Sequence, residues 1–122
     1  MNEDLQNKIK RARELLTTSR HISIATVNED GSPHNSPLRF IYDPKLEYIY
    51  WGSHPDSMHS KNIIRTGQIF TVLYDRIERG GLYMKCDNAH ELKDKELEEA
   101  LKIHNSVRIK EGSEVLELSY YT

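Results

Sequence analysis

The sequence predicts a mainly β domain, an antiparallel barrel or strongly curled sheet with flanking helices. Runs rich in β-branched and aromatic residues recur along the chain, separated by the short turns that join antiparallel neighbours. Helical patterns stand at the two ends and once between strands, without the regular alternation of a doubly wound parallel sheet. The 122 residues fit one domain, expected over 1–122.

The elements follow in order. Leu5, Ile9, Ala12 and Leu16 recur at helical spacing among charges, which predicts an amphipathic helix over 4–16. Ile22 to Val27 is a β-branched run and predicts a strand. Asn28-Glu29-Asp30-Gly31 predicts a tight turn, because Gly31 tolerates the positive φ such turns need. A second strand is expected from Pro33 to Tyr42. Its prolines, Pro33 and Pro37, cannot donate ladder hydrogen bonds, so it must lie at an edge, carry a bulge, or face something other than a strand. Asp43-Pro44-Lys45 is a turn, and Leu46 to Trp51 a third strand.

After the polar stretch 52–56, Asp56 or Ser57 caps a short helix that ends near Thr66 with Gly67 as its stop. Ile69 to Tyr74 predicts a fourth strand, 75–80 a charged loop, and Gly81 to Ala89 a fifth strand. There Leu82, Met84 and Cys86 alternate onto one face, which predicts a buried thiol. A last amphipathic helix runs from Asp94 to about Val107, with Leu97, Ala100, Leu101, His104 and Val107 on one face. The tail from 108 to 122 has no clear pattern.

Composition narrows the function classes. Hydrophobic residues make up 37% of the chain, a lean share that leaves room for a partner subunit or ligand to complete the core. The net charge of −2 lacks the basic surface of a general nucleic-acid binder. No run approaches the ~20 apolar residues of a membrane span, and the first residues lack a signal-peptide plan. With the single cysteine Cys86, these features lead us to expect a cytoplasmic protein without disulfides.

The familiar phosphate-loop, dinucleotide and serine-elbow motifs are absent from the sequence. His54-x-Asp56-x-x-His59 carries metal-ligand chemistry, but no third histidine stands at ligand spacing, so no metal site is expected. The segment Ser57-Met58-His59-Ser60-Lys61-Asn62 carries more chemistry than any other in the chain. It sets hydroxyls, an imidazole, a lysine and an amide at a helix start, where unpaired N–H groups and the positive dipole end attract anions. An ordinary solvated helix start with a single cap is the open alternative.

Read together, several pieces resemble the pyridoxamine 5′-phosphate oxidase-like family of FMN-binding split β-barrels. They are Ile22 to Pro33, Ser36-Pro37-Leu38-Arg39-Phe40 with Tyr42-Asp43, Tyr48 to Ser53, and Ser57 to Ile63. The order continues through Gln68 to Asp75 and Gly81-Leu82-Tyr83. The resemblance implies an antiparallel split barrel that forms a homodimer with flavin sites at the subunit interface. It places Ser36, Pro37 and Leu38 along the flavin ring, and Trp51 and Gly52 at the ribityl or phosphate. Ser57, Met58 and His59 fall at the phosphate, with Lys61 and Asn62 as further candidates.

The implied function is FMN binding and flavin-dependent oxidoreduction of an unidentified small molecule, with no side chain assigned to catalysis. FAD, a deazaflavin or haem remain open as cofactors. A non-catalytic flavin or haem carrier or sensor, or a cofactor-less dimeric interaction module, remains open as a role. The chain departs from the family where Met58-His59 stands in place of a common Arg-Lys pair. Leu116 to Thr122 also offers no match to the basic and aromatic carboxy-terminal segment of the oxidases proper. Both departures argue against true pyridoxamine 5′-phosphate oxidase activity.

Overall fold

A computed structural model describes residues 2–74 and 80–110. Its elements are α1 (Glu3–Thr18), β1 (His21–Val27), β2 (Pro33–Arg39), β3 (Ile41–Tyr42), β4 (Ile49–Tyr50), α2 (Met58–Thr66), β5 (Ile69–Tyr74), β6 (Gly81–Cys86) and α3 (Asp94–Lys110). Most of the expected charged loop and the tail from 111 onward lie outside the described residues. The fold is sheet-rich and antiparallel, with flanking helices, as the sequence predicts. The described residues divide into two compact units, one of residues up to 40 with those of 51–90, the other of 41–50 with 91–110.

In the first unit, four strands form one sheet in the order β2-β1-β5-β6. The β1–β2 hairpin closes through Gly31 at φ 87°, where Gly31 N–H donates to the Asn28 carbonyl over 2.9 Å. Backbone bonds from Asn28 N–H to Ser32 O (2.8 Å) and from Phe40 N–H to Arg20 O (3.0 Å) bracket the ladder and fix its phase. Even-numbered residues of β2 exchange the ladder bonds, so Pro33 and Pro37 turn their ring nitrogens away from β1. That resolves the proline question: β2 is an edge strand, and neither proline costs a bond.

The core lies against one face of this sheet. Strand alternation sends Ile22, Ile24 and Thr26 of β1 inward with Ile69, Thr71 and Leu73 of β5. Ser36, Ile24, Thr71 and Met84 form a row across all four strands. Leu15 of α1 and Ile63 of α2 are buried core residues of the same unit. The expected α1 face is only partly covered: Ala12 and Leu16 are half-buried and Leu5 and Ile9 are exposed, while the buried residue of the helix is Leu15, beside that face. The outward face of the sheet carries the exposed Val27, Phe70, Tyr74 and Tyr83.

Three strand expectations need correction. The run from Pro33 to Tyr42 is two strands, because the buried Phe40 interrupts it and Ile41–Tyr42 pairs with β4 in a separate sheet. The third strand shrinks to Ile49–Tyr50, because the buried Asp43 carboxylate collects the preceding backbone. It accepts from the N–H groups of Glu47 and Tyr48 at 2.7 Å each and of Lys45 at 3.3 Å. Residues 45–48 therefore wrap around Asp43, with Leu46 at φ 58°, instead of extending. The fifth strand stops at Cys86, because Ala89 N–H leaves the ladder to donate to the Gly67 carbonyl over 2.9 Å. Cys86 is half-buried rather than buried.

In the second unit, β3 and β4 form a two-stranded ladder, and α3 packs against β3. Tyr48 and Tyr50 stack with ring centroids 6.1 Å apart. Burial, together with Asp43 and the carboxylates of Glu99 and Glu96, pushes the Tyr50 phenol above its ordinary value.

Candidate functional site

The site is built where the loop after β4 enters α2. Ser57 is the N-cap of that helix, with the extended backbone of a cap (φ −66°, ψ 151°), yet its side chain makes no capping bond. Its hydroxyl lies 2.7 Å from the His54 carbonyl and 2.8 Å from Ser60 Oγ. Lys61 N–H makes the first helical bond, to the Ser57 carbonyl at 3.0 Å. The N–H groups of Met58, His59 and Ser60 thus have no acceptor within the helix.

Hydroxyls gather at this end. Ser53 Oγ lies 3.1 Å from Ser57 Oγ and 3.0 Å from Ser60 Oγ. His59 Nε2 is hydrogen-bonded to Ser53 Oγ and lies 3.2 Å from Ser57 Oγ. His59 Nδ1 lies 3.1 Å from Ser36 Oγ, and that hydroxyl lies 3.2 Å from His34 Nε2. An unbroken line therefore runs from the serine cluster through His59 and Ser36 to His34. His59 is 8% exposed, and burial, followed by the neighbouring His34, lowers its affinity for a proton. Both effects favour the neutral ring, which has one N–H and one lone pair to share.

The expected residues divide by what they touch. Ser36, Ser57 and His59 meet directly. Leu38 shares the inner face of β2 with Ser36, whereas Pro37 points to the opposite face. Trp51 is half-buried, Gly52 is exposed, and a Cβ added at Gly52 would meet nothing within 4 Å. Met58 and Lys61 are exposed at the helix start.

Asn62 is 1% exposed, and its amide is committed inside the protein. Nδ2 donates to Thr26 Oγ1 and Asn28 Oδ1 at 2.9 Å each, and Oδ1 accepts from Arg65 at 3.2 Å. Arg65 also donates to the Val27 carbonyl. Asn62 ties α2 to the β1–β2 hairpin and so fixes the helix end that carries the serines.

Ser60, part of the polar segment singled out in the sequence, joins the cluster; Ser53 and His34 belong to it but were not among the expected site residues. The clue for His34 was its i, i+2 relation to Ser36, which puts both side chains on one face of a strand. Among the described residues, no group of three or more His, Cys, Asp or Glu side chains gathers as a metal site.

Comparison with known families bears on this arrangement. The family model for pyridoxamine 5′-phosphate oxidase matches residues 9–119. The chain belongs to that family. Pyridoxamine 5′-phosphate oxidase relatives typically bind flavin and are often dimeric. The fold agrees: a conserved hypothetical protein of Mycobacterium tuberculosis, solved by crystallography, superimposes with a TM-score of 0.66 at 19% identity. The match covers 88% of this chain and 62% of that one, so the present chain spans less than two thirds of its neighbour's length. Comparison with curated proteins finds no match. This member of the oxidase family has the split β-barrel fold, and no described helix is long and apolar enough to cross a membrane.

Proposed function

We propose that the chain binds FMN, with the flavin phosphate at the amino end of α2, and uses it to oxidise or reduce a small molecule. The uncapped helix end carries the reading. Ser57 leaves the first N–H groups of α2 without a side-chain cap, while three serine hydroxyls and the His59 ring converge beside them. A phosphate dianion accepts hydrogen bonds only, and such a cluster can turn donors toward it. Ser36 and Leu38, with Trp51 and Gly52, are the positions assigned to the rest of the cofactor; Pro37 lies on the same strand but faces outward. Met58 and Lys61 flank the phosphate position, and Asn62 supports it from within. Bound flavin would supply the electron or hydride transfer, and the protein its position and electrostatic setting.

We also propose a homodimer in the cytoplasm. The outward sheet face supports the dimer, because Phe70 is 47% exposed and Tyr83 is 69% exposed on adjacent strands.

Titrating FMN and riboflavin against the wild type and His59→Ala tests the cofactor site. A hydrogen bond to a charged group is worth about 1.5–3 kcal/mol, so His59→Ala should weaken FMN roughly ten- to a hundredfold. Riboflavin, which has no phosphate, should be affected much less. Equal losses for both flavins, or none for either, would remove the phosphate from this site.

A further inference from the structure

The Ser36 hydroxyl stands between two imidazoles, 3.1 Å from His59 Nδ1 and 3.2 Å from His34 Nε2. A hydroxyl has one hydrogen and can donate to one ring at a time. When Ser36 donates to His34, it accepts from His59 Nδ1–H. His59 Nε2 then faces the serine cluster as a lone pair that takes a proton when an anion arrives. If both rings were charged, two N–H groups would point at Ser36, whose own hydrogen would have no acceptor between them. The bridge therefore favours a single positive charge across the pair.

We propose that phosphate binding at the amino end of α2 is accompanied by uptake of one proton on His59 Nε2. His34, acting through Ser36, is the positioning residue that sets the pH of that uptake. This deepens the FMN reading and rests on it. An imidazolium at His59 supplies the positive charge that an Arg-Lys pair would otherwise bring to this helix start.

Among the described residues, the surroundings are sparse in competing charge. Helix α2 packs against β1 and β2. The inner face of β1 offers Ile22, Ile24 and Thr26, none of which titrates, and that of β2 offers His34. On α2, Lys61 is exposed and Arg65 is held by Asn62 and the Val27 carbonyl. In the preceding loop, the exposed His54 and Asp56 lie 3.8 Å from each other. Among the described residues, His34 is thus the titratable group linked to His59 through a hydrogen-bonded bridge.

The test is calorimetry of FMN binding near neutral pH in buffers of different ionisation enthalpy, with riboflavin as the paired probe. FMN should take up protons on binding and riboflavin should not. A phosphate monoester with a second pKa of about 6 could only release protons on binding as the dianion, the opposite sign. The Kd for FMN should rise with pH, approaching tenfold per unit where a full proton is taken up. His34→Gln, which keeps a hydrogen-bond partner for Ser36 but carries no charge, should move that rise to higher pH by roughly half a unit to one unit. Imidazole ¹⁵N spectra of the wild type, independent of any variant, should show one ring becoming charged when FMN is added. FMN binding that is tighter than riboflavin binding but takes up no proton would overturn the proposal and leave the phosphate site standing. A His34→Gln profile that superimposes on the wild type would overturn the role of His34. Equal binding of the two flavins would overturn the phosphate site itself.

Discussion

His59 Nδ1 lies 3.1 Å from the hydroxyl of Ser36, a residue 23 positions earlier in the chain. One residue lies in the first turn of α2 and the other sits mid-way along the edge strand β2, so this contact joins the helix start to the sheet. It also brings together two of the positions that the family resemblance had assigned to different parts of the flavin.

The burial of His59 and its lowered proton affinity predict a pH dependence of folding. Its proton affinity is lowered in the folded chain, whereas the unfolded imidazole titrates near 6.5. The unfolded state therefore binds more protons in the window between the two values. Stability should fall as pH drops below about 6.5, and this loss should level off below the folded value. Urea midpoints from pH 7.5 to 5 should show the fall in the wild type and a shallower one in His59→Gln. Parallel slopes would mean that the ring is as easily charged folded as unfolded.

Asn62→Ala should destabilise the fold by about 2–3 kcal/mol, because the buried amide serves Thr26, Asn28 and Arg65 at once. Chemical denaturation measures this directly. A loss within ~0.5 kcal/mol, the range of ordinary surface substitutions, would show that the clamp is dispensable.

Gly67→Ala should cost about 1–2 kcal/mol. Gly67 ends α2 at φ 69°, and an added Cβ would lie 3.2 Å from the Asp87 carbonyl. Gly67→Asn should cost less than an ordinary non-glycine replacement, because Asn tolerates the left-handed region better. Thermal melts of the two variants should rank them in that order relative to wild type.

Light scattering should give about twice the mass of one chain, in keeping with a closed homodimer. Phe70→Lys with Tyr83→Lys should reduce it to the mass of one chain, since both side chains stand on the outward sheet face. A wild-type monomer at micromolar concentration with FMN present would refute the dimer.

Much of the sheet was legible in the sequence. Ile22, Ile24 and Thr26 alternate with smaller or polar neighbours, and Gly31 marks the hairpin, so β1 and its turn to β2 could be read locally. The β3–β4 region could not. Asp43 shortens β4 by capturing N–H groups up to five residues ahead, and a carboxylate acting at that range leaves no periodic trace. The helix start was legible as a polar cluster, but the division of labour within it was not. His59, Asn62 and Ile63 fall at i, i+3 and i+4, the inward stripe of α2. Ile63 marks that stripe in the sequence, and it places Asn62 among the buried residues. Ser53 could be joined to His59 only once the loop path was known, because no fixed spacing links a loop hydroxyl to a helix six residues on.

The phase of the β1–β2 ladder has a consequence for how the molecule meets its neighbours in a crowded solution. Pro33 and Pro37 turn their nitrogens toward the outer edge of the sheet, so alternate outward positions along β2 have no N–H to offer. An extended segment from another polypeptide arriving there would find a broken comb of donors and could not zip into register. The same prolines that cost nothing within the sheet thus act as a guard rail against strand-by-strand aggregation, the characteristic hazard of an exposed β edge.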